Sequence, residues 1–255
     1  MPETCFISLP AGQKLAFMAS AGKNPTIIWL GGLRSDMTGS KAEALHLAAE
    51  AAGLAFLRFD YEGHGQSSGK FADCVMSDWI GQAQAMVESQ TDGRVILVGS
   101  SMGGWIAQIL ALRLAQKVAG LVLIAPATDM TEKLMWDEMS PAQRESLMRD
   151  GQLAEPSQYS AEPLIITQRL IEDGRQYGLL PGPIGISCPV RILQGDQDPD
   201  VPWQHGLLTH QAIASPDCQF ILIKGGDHRL SRPEDIALLC ETSLGLAQQV
   251  AKTTT

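Results

Sequence analysis

The chain has 255 residues, 45% of them hydrophobic and 18% charged, a composition that excludes a disordered polypeptide. Nineteen Lys and Arg against twenty-eight Asp and Glu give a net charge of −9 with no basic cluster, so nucleic acid and anionic membranes would be repelled. The five cysteines (Cys5, Cys74, Cys188, Cys218 and Cys240) are scattered and form no CxxC pair, which predicts a reducing compartment. The start, MPETCFISLPAGQKLAF, has neither signal-peptide nor transit-peptide character, and no apolar run approaches the roughly 20 residues of a membrane span. These features predict a cytoplasmic protein.

In chain order, KLAFMAS from Lys14 and TIIWL from Thr26 read as strands. A helix, KAEALHLAAEAA, follows and is closed by Gly53; LAFLRF from Leu54 is the next strand. SDWIGQAQAMVESQ reads as a helix opened by Ser77 as its N-cap. Then come the strand VILVG from Val95, the helical WIAQILALRLAQ, and the strand LVLIA from Leu121. Several of these strands are apolar on both faces, as in a parallel sheet covered by helices on both sides. Alternation of strand and helix predicts an α/β fold in a single domain over residues 1–255.

After LVLIA the next strand, VRILQ, begins only at Val190, and QFILI from Gln219 completes the set. The intervening TDMTEKLMWDEMSPAQRESLMRD and SAEPLIITQRLIEDGRQYG read as helical and not as strand. They predict an inserted helical lid at about 128–183, over the C-terminal edge of the sheet. Within it Leu134, Met135, Met139, Met148 and Ile165 either form an adaptable apolar wall for a ligand or simply bind the lid to the body.

The strongest chemical signal is Gly99-Ser100-Ser101-Met102-Gly103-Gly104, between a strand and a helix. Glycines flank Ser101 because a tight strand-to-helix turn leaves no room for side chains, and such a turn presents a nucleophilic hydroxyl above the sheet. A serine needs a base and an orienting acid, and the chain order Ser, Asp, His is met after the last two strands. GDQDPDVPW supplies Asp198, with Asp196, Asp200 and Asp227 as rivals, and KGGDHRLSRPED supplies His228. His46, His64, His205 and His210 are expected to be structural or solvent-exposed. Backbone N–H groups of Met102 and of Leu33, after Gly31-Gly32, are the natural oxyanion donors. Gly63-x-Gly65 follows a strand but has Ser68 where a dinucleotide fingerprint needs its third glycine. No HExxH, EF-hand or Walker loop occurs, so no metal or cofactor is expected.

GGL, RFDYEGHGQSSG, VGSSMGGW, GDQDPDVPW and GDHRLSRPED stand in the order found in the α/β-hydrolase superfamily, which the chain resembles from Lys14 to its C-terminus. The resemblance implies a mostly parallel eight-stranded sheet with helices on both faces and the triad Ser101, Asp198 and His228. RFDY, VGSSxGGW, VPW and DHR resemble, more narrowly, a mitochondrial branch of palmitoyl-protein thioesterases and acyl-glucuronide esterases. That implies an acyl ester or thioester substrate, either a small molecule or an acylated protein. Other hydrolases of the same fold (carboxylesterase, lipase-like enzyme or peptidase) and a non-catalytic binding module are the alternatives.

Overall fold

The computed structural model describes residues 3–10, 12–156 and 162–252. Ser160 and Ala161, at the head of the second helical stretch expected above, and the threonines of the C-terminal tail lie outside the described residues.

Eight strands form one sheet in the order β1-β2-β4-β3-β5-β6-β9-β10. They are β1 (Cys5–Ser8), β2 (Lys14–Ser20), β3 (Lys23–Leu30), β4 (Leu54–Phe59), β5 (Val95–Ser100), β6 (Val118–Ile124), β9 (Val190–Gly195) and β10 (Cys218–Ile223). β1 and β2 pair antiparallel, as do β2 and β4, and all other neighbours are parallel. Every residue of β5, β6 and β9 is buried, as strands enclosed on both faces must be.

Alternate residues of each strand point into two different cores. Ile28, Leu30, Leu97 and Leu121 pack against helices α2 (Met76–Gln90) and α3 (Met102–Arg113) through Trp79, Ile80, Trp105 and Ile106. Ile27, Trp29, Ile96, Val98 and Val122 pack on the other face against α1 (Ser40–Ala51) and α7 (Pro233–Lys252), through Leu45, Leu239 and Leu246. Each such apolar side chain contributes roughly 1.5–3 kcal/mol by leaving water. α6 (Trp203–Ala212) packs beside β9 and β10.

α1 ends as expected, with Gly53 at φ +71° and its N–H donating to Glu50 O. α2 does not start as expected. Ser77 lies inside the first turn and not at the cap, which is Val75; the Val75 N–H donates to the Asp78 carboxylate at 2.9 Å. Ser77 is instead bonded through N–H and hydroxyl to Asp173.

Between β6 and β9 the chain makes an excursion that is not purely helical. A π-helical turn (Thr131–Trp136) and α4 (Pro141–Asp150) lead into an antiparallel ribbon of β7 (Gln152–Glu155) and β8 (Leu164–Thr167), followed by α5 (Gln168–Gly174). The expectation that this segment holds no strand is thus corrected: Ile165, Ile166 and Thr167 are β-branched, and their pairing with Leu153 and its neighbours overrides the helical composition around them. Met139, Leu147, Ile166 and Ile171 form a small core within the excursion. Among the described residues no helix is long and apolar enough to cross a membrane, and all five cysteines are free thiols.

Candidate active site

Ser101 follows β5 and starts α3, with φ +53° and ψ −117°. A non-glycine residue there stores about 1–3 kcal/mol, which persists only because the surroundings impose it. The Ser101 N–H donates to Ile124 O, and its carbonyl accepts from Gly104 and Ala127. The flanking glycines are required by contact: a Cβ on Gly99 would lie 2.3 Å from Gly103 O, and one on Gly103 would lie 2.1 Å from Leu30 O.

β9 and β10 deliver the other two groups at their C-terminal ends, on the same edge as β5. His228 Nδ1 is 2.9 Å from Asp198 Oδ2, and His228 Nε2 is 3.1 Å from Ser101 Oγ. A carboxylate only accepts, so Nδ1 carries the ring proton and Nε2 accepts from the serine hydroxyl. The Asp198 side chain is fully buried. Its Oδ1 accepts the N–H groups of Asp200 and Val201, both at 2.9 Å, and its Oδ2 also accepts from Gln194 Nε2 at 3.1 Å. Three donors besides the imidazole offset the cost of burying the charge.

The rival acids are placed otherwise. Asp196 pairs with Lys224 at 2.7 Å and accepts the Gly225 N–H, contacts that hold its carboxyl below the usual range. Asp227 accepts the Leu230 N–H at 2.9 Å. Asp200 has ligand-type oxygens within 4.8 Å of those of Asp198 and His228, but the Asp198 oxygens already accept four N–H donors, which suits a hydrogen-bonded imidazole better than a cation.

The other histidines are structural, as expected. His46 stacks on Phe56 and bonds Ser20, and His64 sits edge-on among Tyr61, Phe71 and Trp79. His205 bonds Thr128 O, and His210 lies near Cys218 O. Burial pushes the His46, His64 and His205 imidazoles down from their usual value.

Gly32 abuts the nucleophile turn, where a Cβ would stand 3.4 Å from Ser101 Cβ. Leu33 follows it, and Met102 opens α3, whose first N–H groups have no partner inside the helix. Beyond Leu33, Arg34 has φ +57° and reaches the excursion: its Nη1 donates to Pro163 O at 2.7 Å and to Glu162 O at 3.3 Å. Motif reading missed Gln194, Arg34, and the buried pair Arg58 and Asp60, which both bind Met37. For Asp60 a signal was present, because RFDY places charged residues at the end of a buried strand. Of the apolar residues proposed for an acyl wall, Met139 is enclosed in the core of the excursion and Met148 is exposed to solvent, while Leu134 and Met135 pack against the body.

This sheet, with Ser101, Asp198 and His228 brought together beyond the ends of β5, β9 and β10, has the architecture of the α/β-hydrolases. The chain belongs to the family described as serine aminopeptidase, S33, whose model matches residues 26–172. A rat (Rattus norvegicus) protein named mitochondrial palmitoyl-protein thioesterase ABHD10 is 36% identical over 98% of this chain and 84% of its own length. The crystal structure of a putative hydrolase from Agrobacterium vitis S4 has a TM-score of 0.92 at 41% identity, covering 97% of this chain and 99% of that one. Mouse α/β-hydrolase domain-containing protein 10 has a TM-score of 0.91 at 35% identity, with the same coverage. The chain is therefore an enzyme of the hydrolase class.

Proposed function

We propose that the chain is a serine hydrolase that cleaves acyl esters or thioesters through an acyl-serine intermediate. The observation that carries this reading is the unbroken hydrogen-bonded line from Ser101 Oγ through His228 to Asp198, at 3.1 and 2.9 Å. His228 Nε2 takes the hydroxyl proton as Ser101 Oγ attacks the acyl carbon, while Asp198 fixes the tautomer and stabilises the imidazolium. The N–H groups of Leu33 and Met102 are assigned to the oxyanion, each worth on the order of 3 kcal/mol in comparable enzymes. His228 then protonates the leaving alcohol or thiol, and afterwards activates the water that releases the acid.

The substrate class comes from the ABHD10 relatives, named palmitoyl-protein thioesterases: a long-chain acyl thioester, on a small molecule or a protein, is the favoured substrate, with acyl glucuronides second. The excursion at about 128–183 acts in this reading as the lid of a single-domain enzyme, with Leu134, Met135 and Ile165 as its candidate acyl contacts. Free thiols suit a reducing compartment. They are equally at home in the cytoplasm assigned from the sequence and in the mitochondrion named for the relatives, which fractionation separates.

A fluorophosphonate probe tests the mechanism. The wild type should label and Ser101→Ala should not; labelling of Ser101→Ala refutes the assignment. A panel of p-nitrophenyl esters, acyl thioesters and aminoacyl amides tests the substrate. Preference for acetyl esters over every longer chain defeats the depalmitoylase reading, and preference for amides makes the chain a peptidase, as the family description suggests.

A further inference from the structure

The histidine that completes the proposed triad sits on a loop, residues 225–232, that no regular element holds. Gly225 and Leu230 both have positive φ, +68° and +43°, so the loop is bent at each end. The Leu230 N–H is held by Asp227, and the Ser231 hydroxyl donates to Arg229 O at 3.0 Å. Tethers also come from elsewhere: Asp196 accepts the Gly225 N–H, Gly226 O accepts the Gln197 N–H at 2.9 Å, and the amine of Lys41 donates to Arg229 O, the carbonyl of the residue after His228.

Lys41 is the second residue of α1, where a cation faces the positive end of the helix dipole. It is also largely withdrawn from water, and that desolvation opposes its charge. A lysine placed against both effects is retained by its surroundings. Asp227 and Arg229 face it from the histidine loop, Asp235 from α7, and Asp198 from the turn after β9.

We propose that Lys41 is a positioning residue of the active site, whose ammonium clamps the Arg229 carbonyl and thereby fixes the His228 imidazole between Ser101 and Asp198. This rests on the triad assignment above. A charged donor makes a hydrogen bond roughly twice as strong as a neutral one, so the clamp is firm while the amine is protonated. Burial lowers Lys41 to about 8, so the clamp weakens through that pH.

The test is the hydrolysis of a p-nitrophenyl ester, read at the isosbestic wavelength, by wild type, Lys41→Met and Lys41→Gln, each normalised to its fluorophosphonate-labelled fraction. For the wild type we expect kcat to fall about threefold as the pH rises through 8. Lys41→Met should lower kcat about tenfold at pH 7, with KM within twofold, and should lack that alkaline fall. Lys41→Gln, which keeps a neutral donor, should lack it too, and it stands in if the Met variant fails to fold. Wild-type kcat in a folded variant overturns the proposal, and so does a lowered kcat with the alkaline fall retained. Failure of the wild type to label would instead sink the triad assignment, independently of Lys41.

Discussion

Asp60 and Met37 are joined by a hydrogen bond of 2.6 Å from the Met37 N–H to the carboxylate, while Arg58 donates to the Met37 carbonyl at 2.8 Å. All three residues are buried. One residue of the β3–α1 connection is thus gripped on both sides by the end of β4, four positions past the oxyanion donor assigned to Leu33. The other Asp60 oxygen accepts the Gln66 N–H at 2.8 Å, which ties in the glycine-rich turn. That turn is a carboxylate cradle in this chain and not a phosphate loop.

Asp60→Ala leaves the buried Met37 N–H without an acceptor, at about 1–3 kcal/mol, while the Gln66 N–H, on an exposed residue, turns to water. We expect a loss of about 2 kcal/mol in urea unfolding and a fall in kcat larger than any change in KM. A variant with unchanged midpoint and kcat would show that the grip is dispensable.

Gln194 distinguishes the Asp198 carboxylate from an amide. Its Nε2 donates both to Asp198 Oδ2 and to Val201 O, at 3.1 and 3.0 Å. Asp198→Asn would set an amide N–H against either Gln194 or His228 and disturb the tautomer, and kcat should fall by roughly 10³–10⁴-fold. Gln194→Met should cost about tenfold, because the Asp200 and Val201 N–H groups still hold the acid. Steady-state kinetics on the two variants orders them, and equal effects would contradict this division of roles.

The interior strands and the nucleophile turn were legible because their physics is local. A run such as VILVG is apolar on both faces, and Gly99 is demanded by contact with Gly103 four residues on, although Gly103 owes its own lack of a side chain to Leu30 at the end of β3. Asp198 and His228 were proposed from order along the chain, and the hydrogen bonds favour Asp198 over Asp196, Asp200 and Asp227 as the partner of His228. Edge strand β1 and the β7–β8 ribbon were not legible, since four-residue strands half-open to solvent carry little pattern and take their state from pairing. Ser77 misled as a cap because Asp173, far along the chain, claims its hydroxyl. Arg34 and Lys41 act through partners distant in sequence, which no short motif reports; Gln194 lies within seven residues of Asp198 and Val201, but only the folded loop turns its amide toward them.

Arg34 ties the loop after Gly32 to the start of β8 through Pro163 and Glu162, and its ion pair with the exposed Glu162 carboxylate, at 3.6 Å, adds little by itself. Arg34→Ala should change stability by less than about 1 kcal/mol. If the excursion covers the acyl chain, loosening this tie lowers kcat/KM for long-chain esters about threefold or more while short-chain esters hydrolyse as before. A uniform change across chain lengths would remove Arg34 from specificity.

Lys41 should also be visible in stability. Its amine is lowered from 10.5 to about 8 in the folded chain, with desolvation as the leading cause. Between those two values the unfolded chain binds the proton and the folded chain does not, so stability rises with pH across the window. Below about 8 both states are protonated, and the folded state bears the cost of the buried charge. Lys41→Met removes this ionisation, so the stability difference, wild type minus variant, should increase from pH 8 to 10.5 and stay level below 8. Urea unfolding of both proteins at pH 7, 9 and 10.5 measures it. A difference that is flat across the series would mean that the amine titrates alike in the folded and unfolded chain, and a falling one would mean that the folded state favours the ammonium.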